Sequence, residues 1–230
     1  MSERLPEMLF SNPVWHALQG PHRHLSLGAG GACRYPADVA PFAAIAERTD
    51  RTLAALRALL APEESVWIVE YGRSVPGLPV VESLPCLQMV LPPEIDLPPE
   101  SLEVLRLMDA DAPEMVALTQ AAFPGFFRAH THRMGSYYGV RIEGVLVAMG
   151  GERLRLEGYP ELSAVCTHAD HRGQGLATAI IGHLVRQHRR AGLCSWLHVG
   201  AHNTRAVDLY AALGFESVRM LTLQRIVRTQ

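Results

Sequence analysis

Between residues 176 and 191 apolar side chains fall at helical spacing, as Leu176, Ala177, Ile180, Ile181, Leu184 and Val185. Such a stripe predicts an amphipathic helix. Arg186, Arg189 and Arg190 gather in its last turns, where cations suit the helix dipole, and Gly192 is placed to end it. A second helix is predicted from a cap at Asn203 to Leu213, with Gly214 as terminator. Alternation of apolar and polar positions over Leu102–Leu107 predicts a half-buried strand, and Pro113–Ala122 reads as an amphipathic helix. Tyr137–Ile142 and Val145–Leu156 flank Glu143-Gly144 as a hairpin, and Leu162–Thr167 is the next strand. Cys194–Val199 and two strands split near Val218–Met220 complete the pattern.

Two proline pairs in Leu91–Pro99 interrupt both helix and sheet, which sets a boundary between residues 1–97 and 98–230. In the first part, Asn12 and Pro13 start a short helix through Leu18, and Asp50–Leu60 reads as a second helix. Strands are expected at Val66–Glu70 and Cys86–Leu91. The alternating elements imply an α/β (α+β) chain, with a mixed central sheet flanked by helices and an N-terminal α/β half.

Chemistry concentrates after the strand ending at Val165, Cys166 and Thr167. There, Arg172, Gly173, Gln174, Gly175, Leu176 and Ala177 form a glycine-rich turn that opens the strong helix. Glycine lets backbone N–H groups approach a phosphate without an intervening Cβ, and the helix adds its positive end. Every one of the 21 basic residues is arginine, so a Walker-type loop and lysine Schiff-base chemistry are both excluded. The third glycine and the acidic residue of the dinucleotide fingerprint are missing too, which argues against hydride transfer.

The turn fits Arg/Gln-x-x-Gly-x-Gly/Ala through Arg172, Gly175 and Ala177. The later helix reads Asn203-x-x-Ala206-x-x-Leu209-Tyr210-x-x-Leu213-Gly214-Phe215. Together these resemble the GNAT superfamily of N-acetyltransferases over roughly Leu102 to Val227, with similarity to its glycine N-acyltransferase-like branch. Ala169 departs from the proline the family often places there. The resemblance implies acetyl-CoA as co-substrate, with Val165, Cys166 and Thr167 pairing with the pantetheine arm and Arg172 to Ala177 holding the pyrophosphate. It also implies that Asn203 contacts pantetheine, that Ala206 leaves room for it, and that Tyr210 faces the thioester sulfur.

Each role has a structural alternative: Asn203 also suits a helix cap worth ~1 kcal/mol, and Tyr210 also suits packing on its helix face. Aminolysis of a thioester needs a neutral amine, a stabilised oxyanion and a proton for the thiolate, which a phenol of pKa ~10 can supply. Glu161 is expected on the strand face of Val165 as a base acting through water, against a solvated strand-end carboxylate. Phe126, Phe127 and His132 lie where the family's acceptor pocket is lined. His22-x-His24 and His130-x-His132 lack completing ligands, so no metal is expected. Cys166 is expected as inert packing, making direct transfer in a ternary complex the simpler course than an acyl-enzyme.

The expected acceptor is a primary amine on a small molecule or amino acid. The alternatives are a protein N-terminus or lysine, and a noncatalytic acyl-CoA-binding module. A net charge of −2 gives no reason for a nucleic-acid partner. Widely spaced Cys33, Cys86, Cys166 and Cys194 suggest reduced thiols, and no apolar run reaches membrane length, so a cytoplasmic monomer or homodimer is expected.

Overall fold

The structure is a computed structural model that describes residues 10–99 and 102–230. Its elements are α1 (Pro13–Gln19), β1 (Leu27–Ala29), β2 (Ala32–Arg34), β3 (Ala43–Ile45), α2 (Asp50–Ala58), β4 (Ser65–Val69) and β5 (Val80–Val90). After the proline segment come β6 (Leu105–Leu107), α3 (Ala112–Ala122), β7 (Tyr137–Ile142), β8 (Val145–Leu156) and β9 (Tyr159–Thr167). The chain ends with α4 (Leu176–Arg190), β10 (Trp196–Gly200), α5 (Thr204–Ala212) and β11 (Glu216–Val227). Asn12 and Asn203 cap α1 and α5 through their side chains.

An eight-stranded sheet runs β4-β11-β5-β10-β9-β8-β7-β6, crossing the proline segment without a break: β5 lies between β10 and β11. All its pairings are antiparallel except β9 with β10. Ile180, Ile181 and Leu184 of α4 pack on one face against Leu162 and Leu197, each such side chain contributing roughly 1.5–3 kcal/mol of burial. On the opposite face, α1 packs Val14, Ala17 and Leu18 against a cluster containing Trp196 and Leu154, while α3 packs Met115 and Leu118 against Tyr137 and Cys166.

Three differences from the sequence pattern have local causes. The expected break near Val218–Met220 is a register shift between Ser217 and Arg219, so β11 continues as one strand. Strand β9 begins at Tyr159, ahead of Pro160, because Pro160 stands opposite Arg155 beside the hairpin turn, where a register irregularity absorbs it. The small sheet β1-β2-β3 was not expected: its strands are three residues each, too short for an alternation to register.

Candidate active site

Strands β9 and β10 run parallel but pair only at Glu161–Trp196 and Leu162–Leu197. Beyond those positions they part, and among the described residues the β10-facing edge from Ser163 to Thr167 has no ladder partner. Ala164 sits at φ +56° within a register shift against β8, so this edge is also kinked. A half-buried edge of this kind offers backbone donors and acceptors to an extended ligand.

One cavity of ≈470 Å³ lies at the end of β9, where Arg172, Gly173, Gly175, Leu176 and Ala177 meet Asn203, Ala206 and Tyr210. Gly173 and Gly175 hold φ +79° and +76°, the left-handed region that other residues enter only with strain. A Cβ at either position would meet nothing within 4 Å, so backbone conformation rather than crowding calls for glycine. Gly175 is the N-cap of α4 and has no side chain to satisfy the first-turn N–H groups, which therefore stay available to an anion. Arg172 Nε lies 3.5 Å from the Thr167 carbonyl, which keeps its guanidinium beside the turn. Gln174 of the predicted set does not line this cavity, whereas His171 and Arg205 do. An arginine in the first turn of α5 opposes that helix's dipole, a signal in the sequence that an anion is expected nearby.

A second cavity, of ≈260 Å³, opens on the other side of the same gap. Phe123, Val165, Asn203, Ala206 and Tyr210 line both, so the cavities meet at the Tyr210 side chain. Phe126 and Phe127 line the second cavity as expected, Phe126 against Phe42 and Trp67, and Phe127 edge-on to Tyr137. His132 does not line it: its ring is enclosed, with Nε2 3.4 Å from an Asp109 carboxylate oxygen and no well-formed hydrogen bond. The short helical turn Thr131–Met134 carries His132 away from the cavity while Thr131 faces it. Asn203 accepts from the Ala206 N–H at 3.2 Å, so the cap uses only its oxygen.

Glu161 requires correction. The kink at Ala164 breaks the side-chain alternation, so Leu162 and Val165 both face α4 and Glu161 points to the opposite face from Val165. There it is fully enclosed, accepting from Arg153 Nε at 3.0 Å, Arg153 Nη2 at 2.6 Å and the Leu154 N–H at 3.0 Å. His198 Nδ1 lies 2.7 Å away, and Gln88 Nε2, which also donates to the Phe10 carbonyl, stands 3.0 Å from His198 Nε2. His198 therefore donates from Nδ1 to Glu161 and accepts at Nε2. Burial alone would push the Glu161 carboxyl up, but the Arg153 charge and His198 outweigh it and hold the pKa at about 2. A carboxylate so weakly basic and so fully bonded is a structural anchor.

Arg153 and His198, by contrast, line the second cavity and were missed. The sequence carried no signal for the pair: a regular hairpin at Glu157-Gly158 would set Leu154 across from Glu161, and only the register shift between Glu152 and Arg155 brings Arg153 to it. Burial pushes the Cys166 thiol up to about 12 and raises the Tyr210 phenol above its ordinary value, with the Glu161 charge adding to the latter. Elsewhere, Ser195 Oγ, His188 and Glu152 form a hydrogen-bonded series at 2.8 and 3.0 Å that resembles a hydrolase triad. All three side chains are buried and none lines either cavity, so no substrate reaches them. His22 is likewise internal, accepting from Tyr35 and donating to the Met134 carbonyl, both at 2.8 Å. Among the described residues no group of three or more His, Cys, Asp or Glu is arranged to hold a metal ion, and no helix is long and apolar enough to cross a membrane.

A split parallel strand pair, with a glycine turn beyond it and a phenol between two cavities, defines an acyl-transferase type of site. Residues 102–215 match the family model described as Acetyltransferase (GNAT) family. A putative acetyltransferase from the GNAT family of Novosphingobium aromaticivorans DSM 12444 is 35% identical, with a TM-score of 0.87 over 96% of this chain and 99% of that one. The GCN5-related N-acetyltransferase of Kribbella flavida shares the fold at 22% identity and a TM-score of 0.62, covering 94% of each chain. A GCN5-related N-acetyltransferase-like protein of Streptococcus suis does so at 15% and 0.61, over 98% of this chain and 95% of that one. No curated protein matches the chain in sequence. The chain belongs to the GNAT acetyltransferase family and is a transferase. Enzymes of this family use acetyl-CoA as co-substrate.

Proposed function

We propose that the protein transfers an acetyl group from acetyl-CoA to a primary amine of a small molecule or amino acid, by direct attack in a ternary complex. The observation that carries this reading is the meeting of two cavities at Tyr210, inside the gap between β9 and β10. On the donor side, the N–H groups from Arg172 to Ala177 and the Arg172 and Arg205 guanidinium groups receive the pyrophosphate. The open edge at Val165, Cys166 and Thr167 pairs with the pantetheine amides, and a backbone N–H there meets the developing oxyanion. Acetyl-CoA supplies the activated thioester.

Tyr210 donates a proton to the departing thiolate. Its raised pKa does not spoil the match, because a thiolate formed in the same enclosed position is destabilised by the same desolvation. Cys166 stays a thiol at neutral pH, which favours direct attack over an acyl-enzyme. With Glu161 anchored away from the gap, the second cavity is lined by Arg153 and, among the described residues, by no carboxylate, an environment that disfavours an ammonium ion. The amine therefore enters neutral, and the proton it loses on acylation passes through water and restores the one that Tyr210 gave to the thiolate, so the transfer releases no net proton. Release of CoA over a panel of amines, with calorimetry of acetyl-CoA binding, tests the reading. Tight binding without release above background in any amine would instead mark a CoA-binding module, and release confined to peptides would mark a protein N-acetyltransferase.

A further inference from the structure

The second cavity contains donors that no protein group answers. Tyr137 is 2% exposed, lines the cavity, and its hydroxyl has no hydrogen-bond partner among the described residues. The charges of Arg153 and Glu161 both act on that phenol, which places it beside the buried ion pair. In that pair Arg153 gives Nε and Nη2 to Glu161, while Nη1 makes no hydrogen bond among the described residues and, unlike the Tyr137 hydroxyl, is not a buried atom, the side chain being 14% exposed. Native interiors rarely leave a buried hydroxyl such as that of Tyr137 unanswered, and one beside a cavity that also holds a free guanidinium N–H is placed to meet a ligand.

We infer that this pair of donors receives the carboxylate of the acceptor, so that the substrate is a small apolar or aromatic amino acid acetylated on its amine. The inference rests on the acetyl-transfer reading above and specifies its acceptor. Arg153 offers only donors and the Tyr137 hydroxyl offers one more, so the matching group must be rich in acceptor oxygens. Two oxygens suit two donors, and a charged acceptor bonds a guanidinium more strongly than a neutral carbonyl does. Among the described residues no acidic side chain lines this cavity, which disfavours polyamine acceptors. Phe126, Phe127, Leu84 and Leu223 supply apolar walls, and the ≈260 Å³ volume is that of a small ligand. The carboxylate deep in the cavity leaves the amine toward Val165 and Tyr210, where the donor side begins.

The experiment compares compounds that differ only at the carboxyl group: leucine, leucinamide and isopentylamine, and the corresponding phenylalanine series. CoA release is measured for each on the full chain. The expected result is a kcat/KM for the free acid about tenfold above the amide and a hundredfold above the amine, carried mainly by KM. Arg153 also holds Glu161, so the variant of choice is Tyr137→Phe, which should narrow the acid-to-amide ratio severalfold. A ratio within one preparation is insensitive to partial loss of folded enzyme. Equal kcat/KM across each series, or a preference for the amide or amine, overturns the inference and leaves the acetyl-transfer reading standing. Absence of CoA release with every amine tried overturns both.

Discussion

The cavity proposed for the donor and the cavity proposed for the acceptor share Tyr210 but are assembled differently. The donor side is mostly one continuous stretch from Val165 to Thr178, closed by the first turns of α5. Its chemistry is carried by backbone N–H groups and two left-handed glycines. The acceptor side gathers Leu84, Phe126, Tyr137, Arg153, His198 and Leu223 from five strands and a loop, and its chemistry is carried by side chains. A backbone cradle tolerates much side-chain change and binds one invariant group. A cavity of distant side chains is free to vary its ligand, at the cost of a buried ion pair to hold it in place.

The comparison is tested most severely at Glu161. If it anchors the acceptor wall, Glu161→Gln leaves Arg153 charged and unpaired, at a cost of about 3–5 kcal/mol and a Tm loss of ~10 °C. A thermal melt that is unchanged while kcat collapses would restore the base that the sequence suggested.

Acid should loosen the sheet face behind the second cavity as well, through His22, bonded to Tyr35 and Met134, and through Glu161. Burial chiefly lowers the His22 pKa to about 4 from an ordinary 6.5, so between these values the unfolded chain binds a proton the folded chain refuses. Stability from this group is complete above pH 6.5 and lost as pH falls toward about 4, roughly 3 kcal/mol in all. Glu161 adds a second loss between about 4.5 and about 2, where its folded carboxylate must finally be protonated. Urea midpoints measured from pH 8 to pH 3 check both, and His22→Gln should flatten the first decline. A flat profile in wild type would contradict the burial assigned to these groups.

At the junction, Tyr210→Phe should lower kcat about 100-fold while leaving acetyl-CoA affinity within twofold. An equal loss in binding would make Tyr210 a packing residue. On the donor side, Gly175→Val forces a β-branched residue to φ +76°, costing roughly 1–2 kcal/mol and weakening acetyl-CoA about tenfold in calorimetry. Unchanged affinity would mean that the turn does not hold the pyrophosphate.

The same difference explains what the sequence reveals. Turn and helix signals act over a few residues, so α4, α5, the β7–β8 hairpin and the left-handed glycine turn ahead of α4 are legible, as is the placing of Tyr210 on α5. The side assigned to Glu161 fails because one kinked residue, Ala164, shifts the alternation that such a reading depends on. His132 fails because a short helical turn, which apolar spacing does not reveal, carries it out of the cavity. Arg153 and Tyr137 reach the site only through pairing of β7, β8 and β9, and long-range register leaves little trace in any single stretch.

A crystal structure of the protein with CoA tests the central claim most directly. The pyrophosphate should lie on the N–H groups of Arg172 to Ala177, the pantetheine should pair with β9 at Val165 to Thr167, and the sulfur should come within hydrogen-bond reach of the Tyr210 hydroxyl. CoA bound elsewhere, or a sulfur remote from Tyr210 with the β9–β10 gap empty, would contradict it.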